Sequence, residues 1–169
     1  MVRVYIPATL AMLQRLVADQ SMHALSGTAF AVTPTLRESY AEGDDDELAE
    51  VALREAALAS LRLLAAEGGQ ADSGLPLRRA VLVADVEGAT IRPDLDDAVV
   101  RLAGPIGVGD VVAAYLDNAG AEPAVRAAIE VVDLADFGDE DAELTVGDAQ
   151  DHDLAWYASQ ELPFLLELL

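Results

Sequence analysis

The nine residues RRAVLVADV (78–86) constrain the fold most, because their apolar run does not alternate with polar side chains. A strand that is apolar on both faces is typical of a sheet with helices packed against both of its sides. The segment VRVYI (2–6) is a second β-branched run, and it leads through Pro7 into leucines at helical spacing. The sequence therefore predicts a sheet on which helices pack.

The rest of the sequence predicts further strands and further helices. Strands are expected at TAFAVT (28–33), AVVRLA (98–103), VVAAYLD (111–117) and LAWYA (154–158). Helices are expected after Thr33-Pro34, after the acidic run 44–47 and from Pro123. The segment GGQADSGLP (68–76) is predicted to be a loop within one domain, and the acidic stretch 136–153 to be another loop.

These elements predict an α+β fold. We expect a single domain over residues 1–169, with a mixed sheet of about five or six strands and helices packed on it. Alternation of strands with helices indicates some parallel pairing through right-handed βαβ crossovers. The short connection between AVVRLA and VVAAYLD favours an antiparallel pair of those two strands.

Two residue types are missing from the chain, and their absence excludes several classes of mechanism. All ten basic residues are arginine, and there is no cysteine. Schiff-base lysines, catalytic thiols and phosphate loops that depend on lysine are therefore excluded. Carboxylate, hydroxyl, arginine and histidine chemistry remains.

The charge balance argues against two classes of binding partner. The chain carries 31 acidic residues and a formal net charge of −21, yet 53% of its residues are hydrophobic. Such a chain is too apolar for a disordered acidic tail, so the charge is expected on the outside of a folded body. Because nucleic acids and anionic membranes are bound by clustered basic residues, we expect neither as a partner. No signal peptide is evident, and a cytoplasmic location is expected.

Carboxylates at two strand ends are the first candidates for chemistry. Asp85 and Asp117 end the strands VLVAD and AYLD. In open α/β sheets, ligands favour the crevice beyond the carboxyl ends of strands, so the two side chains could share a divalent cation or handle a proton. The competing interpretation is that each aspartate belongs to a turn or caps a helix.

His152 is the third candidate, because Asp151 and Asp153 flank it. Neighbouring carboxylates raise the pKa of an imidazole and suit it to general acid or base catalysis. Neighbours in sequence seldom point at the same atom, however, and a lone histidine in a loop is usually a surface or capping residue. Both interpretations stay open at this point.

The C-terminal segment WYASQELPFLLELL (156–169) is the candidate interaction surface. It contains the only tryptophan, and its last helix is heavily apolar. We expect Trp156, Tyr157 and Phe164 to pack either into the core or against another protein molecule.

Four segments resemble a family of uncharacterised actinobacterial proteins of about this length: VRVYIPATLAMLQRLV, GTAFAVTP, RPDLDDAVVRLAGP and DHDLAWYASQELPFLL. The resemblance runs from end to end of the chain. The resemblance implies a single intact domain. Because the family has no established activity, the resemblance assigns no catalytic residue.

The sequence therefore favours a small cytoplasmic protein that acts by binding a protein partner or a second copy of itself, without a cofactor. The alternative is a metal-assisted hydrolase or transferase that uses Asp85 and Asp117, and possibly His152, with a divalent cation such as Mg²⁺.

Overall fold

A computed structural model describes residues 1–40, 42–68 and 74–169. Most of the predicted loop 68–76 lies outside these residues. The strands are β1 (Val2–Ala8), β2 (Ser21–Met22), β3 (Thr28–Phe30), β4 (Ala80–Val86), β5 (Thr90–Ile91), β6 (Val99–Arg101), β7 (Ile106–Gly107), β8 (Val111–Leu116) and β9 (Ala155–Ala158). The helices are α1 (Leu10–Asp19), α2 (Pro34–Ser39), α3 (Asp45–Ala66), α4 (Glu122–Asp136), α5 (Glu140–Gln150) and α6 (Leu162–Glu167).

Seven strands form the main sheet, in the order β5-β6-β3-β1-β4-β8-β9, and β2 pairs with β7 beside it. The predicted α+β class is confirmed. The prediction of parallel pairing through βαβ units is wrong, because every strand pairing among the described residues is antiparallel. The predicted pairing of β6 with β8 is also wrong, since β3, β1 and β4 lie between them. The connection between β6 and β8 is short enough to predict a hairpin, but the chain instead crosses three strands of the sheet.

Helices cover both faces of the main sheet, as the apolar run of β4 predicts. On one face, Val4 and Ile6 of β1 and Leu82 of β4 pack with the buried leucines of α1 and α6. On the other face, Val81 and Phe30 pack with α2 and α3. Strand side chains alternate between faces, so a strand buried on both sides needs both layers.

Helices α4 and α5 pack beside the C-terminal half of α3. Leu61 and Leu64 of α3 pack with Val125 and Val132 of α4 and with Val146 of α5. The cross-strand register of the main sheet and this stacking place the end of α5 next to the end of β8, where the candidate residues lie.

The predicted loop 136–153 is wrong, because most of it is helix α5. Asp139 caps the helix by accepting a hydrogen bond from the Ala142 N–H at 2.8 Å. Acidic residues in the first turn favour the helix through its dipole. The buried residues Ala142, Val146 and Ala149 recur at helical spacing, but two of the three are alanines and give a weak apolar signal.

Candidate functional site

Asp85 and Asp117 lie at opposite ends of the main sheet. Because β4 and β8 are antiparallel, Leu116 is the partner of Ala80, and Asp85 is five residues further along β4. That separation is roughly 17 Å at a rise of about 3.4 Å per residue. The prediction of one site shared by these carboxylates is therefore wrong, since it assumed strands with neighbouring carboxyl ends.

Asp117 forms a buried ion pair with Arg79. Both residues are 1% exposed. The Asp117 carboxylate accepts hydrogen bonds from the Arg79 backbone N–H at 2.8 Å, from Nε at 2.9 Å and from Nη2 at 2.7 Å. Both carboxylate oxygens are thereby occupied by the guanidinium and backbone of one residue. The arrangement holds the end of β8 against the start of β4, and it leaves Asp117 sealed from solvent.

The same guanidinium reaches the segment that leads into β9. Arg79 Nη1 donates to the Gln150 side chain at 2.8 Å, and Nη2 donates to the His152 carbonyl oxygen at 2.8 Å. Gln150 in turn donates to the Arg54 carbonyl of α3 at 3.2 Å. One buried arginine therefore connects β4, β8, α5 and the start of β9.

His152 contributes its backbone to this network, whereas its imidazole lies at the exposed surface. Asp117 is close in the fold, because both residues contact Arg79, but its carboxylate is committed to the arginine. The structure therefore brings together two of the three sequence candidates, Asp117 and His152. Both contact Arg79 and help to connect strands and helices. Asp85 does not join them.

Asp85 forms an exposed ion pair with Arg3 at the other end of the sheet. The two bonds from Arg3 to the carboxylate measure 3.0 and 3.1 Å, and the side chains are 55% exposed for Arg3 and 31% for Asp85. Hydrogen bonding to Arg3 lowers the pKa of Asp85 below its usual value. Cavities of about 350 and 530 Å³ adjoin this end, and Asp85 contributes to the lining of both.

Tyr5 lines the larger of these cavities, and burial raises the pKa of its phenol, with a smaller contribution from Tyr115. Tyr157 packs against the apolar cluster on the opposite face of the sheet. The tyrosines and carboxylates therefore scatter over both ends and both faces. Within residues 1–40, 42–68 and 74–169, no group of three or more histidine and carboxylate side chains is placed to hold a metal ion.

The C-terminal segment divides between core and surface. Leu162 and Leu166 of α6 are buried, and Tyr157 packs against the core. By contrast, Trp156 is 57% exposed, Phe164 71% and Leu168 84%. We call Trp156, Phe164, Leu168 and the free edge of β9 the C-terminal surface. Sequence reasoning singled out Trp156 and Phe164 but missed Leu168, although Phe164 and Leu168 lie on one stripe at i and i+4.

Strand β9 ends the main sheet, so it has a neighbour on one side only. Trp156 is paired with Tyr115, which packs on the α3 side, whereas α6 packs on the α1 side. The free edge of β9 therefore has an exposed tryptophan above it on one face and the apolar stripe of α6 on the other.

A groove of about 300 Å³ between α1 and α6 adjoins this surface. The groove is lined by uncharged side chains from α1, α6 and the segments beside them: Leu16, Val17, Gln20, Val108, Val111, Ser159, Gln160, Leu162 and Pro163. The other four cavities described here each include at least one carboxylate in their lining. In a chain of net charge −21, this groove is therefore a local uncharged region.

Comparison with known proteins identifies the family of the chain and assigns it no activity. The chain belongs to a family described as a family of unknown function (DUF6912), whose model matches residues 2–166. No curated protein and no solved structure matches the chain. Among the described residues, no helix has both the length and the apolar character needed to cross a bilayer.

Proposed function

We propose that this member of a family of unknown function is a binding protein whose partner adds a strand to the free edge of β9. One observation carries the proposal: an edge strand of the main sheet has an exposed tryptophan on one side and an exposed apolar helix stripe on the other. Binding of this kind needs no cofactor, and we place it in the cytoplasm.

The free edge of β9 is less protected than the opposite edge of the main sheet. Soluble proteins protect such edges with charged side chains, proline or very short strands. The opposite edge, β5, has two residues and is followed by Arg92 and Pro93. Residues 154–160 carry no charged side chain and no proline. An edge without charged side chains or proline along its length suits recognition by strand addition, in which main-chain bonds supply affinity and flanking side chains supply specificity.

A photo-crosslinking phenylalanine analogue placed at position 164 tests the proposal in extracts of the native cells. We expect it to capture protein, and we expect Trp156→Ser in the same molecule to abolish that capture. Trp156 lies on the α3 face of the sheet and α6 packs on the α1 face, and we expect a partner that adds a strand to β9 to contact both Trp156 and Phe164. Because Trp156 is mostly exposed, the substitution leaves the melting temperature within a few degrees of the parent value.

Phe137 provides the matched control, since it is 91% exposed and follows α4, which packs with α3 on the face opposite to that of α6. The same analogue at position 137 is expected to give no product that depends on Trp156. Identical products from positions 137 and 164, or capture at 164 that survives Trp156→Ser, would show that the C-terminal surface is not the binding site.

A further inference from the structure

We infer that the strand added to β9 is an extended protein segment with an apolar centre and Lys or Arg on both flanks. This inference rests on the proposed function and specifies the chemistry of the partner. The backbone directions of β9 and the charges at its two ends carry it.

The backbone of β9 offers Trp156 to an incoming strand. The Ala158 N–H donates to the Glu161 side chain at 2.9 Å, so it points away from β8. In an antiparallel pair, residues two apart point their N–H and C=O groups the same way. The N–H and C=O of Trp156 therefore face the free side as well. An added strand can bond to both groups, and its path ends where Glu161 caps Ala158.

Carboxylates stand at both ends of this uncharged stretch. Asp151 and Asp153 precede it and Glu161 follows it, and all three are exposed. A strand that lies along β9 brings its own flanking residues close to these groups in either orientation. Opposite charges across neighbouring strands stabilise the pair, and like charges destabilise it. The edge therefore favours an apolar centre with a basic residue at each end.

The same charges argue against a second copy of this chain as the occupant. A two-fold axis through Trp156 brings Asp151 near Glu161 of the second copy, and an axis through Tyr157 brings Asp153 near it. Both registers oppose carboxylates between two molecules that each carry a net charge of −21. The charge-free groove between α1 and α6 accommodates an apolar side chain of a partner without burying a carboxylate.

Synthetic peptides test this inference with the full chain. The first peptide alternates valine and threonine and has two lysines at each end; matched peptides replace the lysines with glutamines or with glutamates. The readout is the emission of Trp156, which is the only tryptophan in the chain. We expect a saturable blue shift with the lysine peptide and affinity at least about tenfold weaker with the glutamate peptide at low salt. The difference is expected to shrink as salt screens the charges.

Each other outcome has a distinct meaning. Equal affinity for the three peptides overturns the basic-flank inference and leaves strand addition in place. Suppose that no peptide gives a saturable shift, but position 164 still crosslinks a cellular protein in a Trp156-dependent way. That result overturns this inference and leaves the proposed function in place. Failure of both experiments rejects the proposed function as well. A dimer in sedimentation that Trp156→Ser disrupts would identify a second copy as the occupant and overturn the inference.

Discussion

The two ends of the main sheet each carry an aspartate paired with an arginine, but the two pairs differ in almost every physical respect. Arg79–Asp117 is sealed inside the protein, and the guanidinium also donates to Gln150 of α5 and to the His152 carbonyl oxygen. Arg3–Asp85 lies at the surface beside open cavities. An aspartate at or near the end of a strand is therefore a poor indicator of function by itself, because burial and the partner decide what the carboxylate does.

The largest expected effect belongs to the buried pair. Asp117→Ala leaves the Arg79 guanidinium buried without its counter-charge, which costs about 3–5 kcal/mol of unfolding free energy. Urea denaturation followed by circular dichroism measures this loss. The double variant Arg79→Met/Asp117→Leu removes both charges and is expected to recover only part of the loss, because Gln150 and the His152 carbonyl still lose their donor. A double variant as unstable as Asp117→Ala would show that the ion pair itself, and not the orphaned charge, dominates.

A buried hydroxyl at the same end gives the next largest effect. Ser60 of α3 donates to the Ala8 carbonyl at 2.7 Å and accepts from the Ala80 N–H at 3.0 Å, and it is fully buried. Ser60→Ala leaves both backbone groups without this partner, so we expect a loss of about 1–3 kcal/mol. Ser39→Ala, at an exposed serine, is the control and is expected to cost far less. Equal losses for the two variants would contradict the contrast between buried and exposed polar groups.

The exposed pair is expected to contribute least. Asp85→Asn should cost about 0–1 kcal/mol, because solvent screens the pair and two flexible side chains lose freedom in forming it. The same denaturation experiment in low and high salt measures the difference. A loss that approaches the Asp117→Ala value would mean that the two ends are energetically alike.

The pH dependence of the Asp85 contribution has a defined sign. Arg3 lowers the folded-state pKa of Asp85 below that of the unfolded chain. The pair therefore stabilises the protein at pH values above the unfolded-state pKa, and this contribution disappears as pH falls through the folded-state pKa. The stability difference between the parent and Asp85→Asn is expected to vanish in acid. A difference that persists there would assign it to packing.

Local sequence signals predicted most elements, whereas the pairing of strands was beyond them. The leucine stripe of α1 and the Thr33-Pro34 start of α2 are local signals, and the helices begin where these residues indicate. Strand order depends on contacts between distant residues, so the assumption of parallel strands placed Asp85 and Asp117 together wrongly. Helix α5 was missed because its acidic first turn resembles a solvated loop.

Of the candidate site, the sequence could indicate Trp156 and Phe164 but not their arrangement. Trp156 is exposed on the last strand of the sheet, whose position follows from the order of all seven strands, and Phe164 is exposed on the side of α6 away from the buried Leu162 and Leu166. The role of Arg79 had no local signal. An arginine at the start of a strand looks like any exposed charge until the fold surrounds it with Asp117, Gln150 and the His152 carbonyl.

Hydrogen exchange at the Trp156 amide is the most direct test of the claim that β9 is a free binding edge anchored by the Arg79 network. In the free protein this amide faces solvent, so we predict exchange within about tenfold of the unstructured rate, while the Tyr157 amide, directed at β8, is protected. Saturating lysine-flanked peptide is expected to protect Trp156. A Trp156 amide already protected in the free monomer, or one that gains no protection when the peptide binds, would contradict the account.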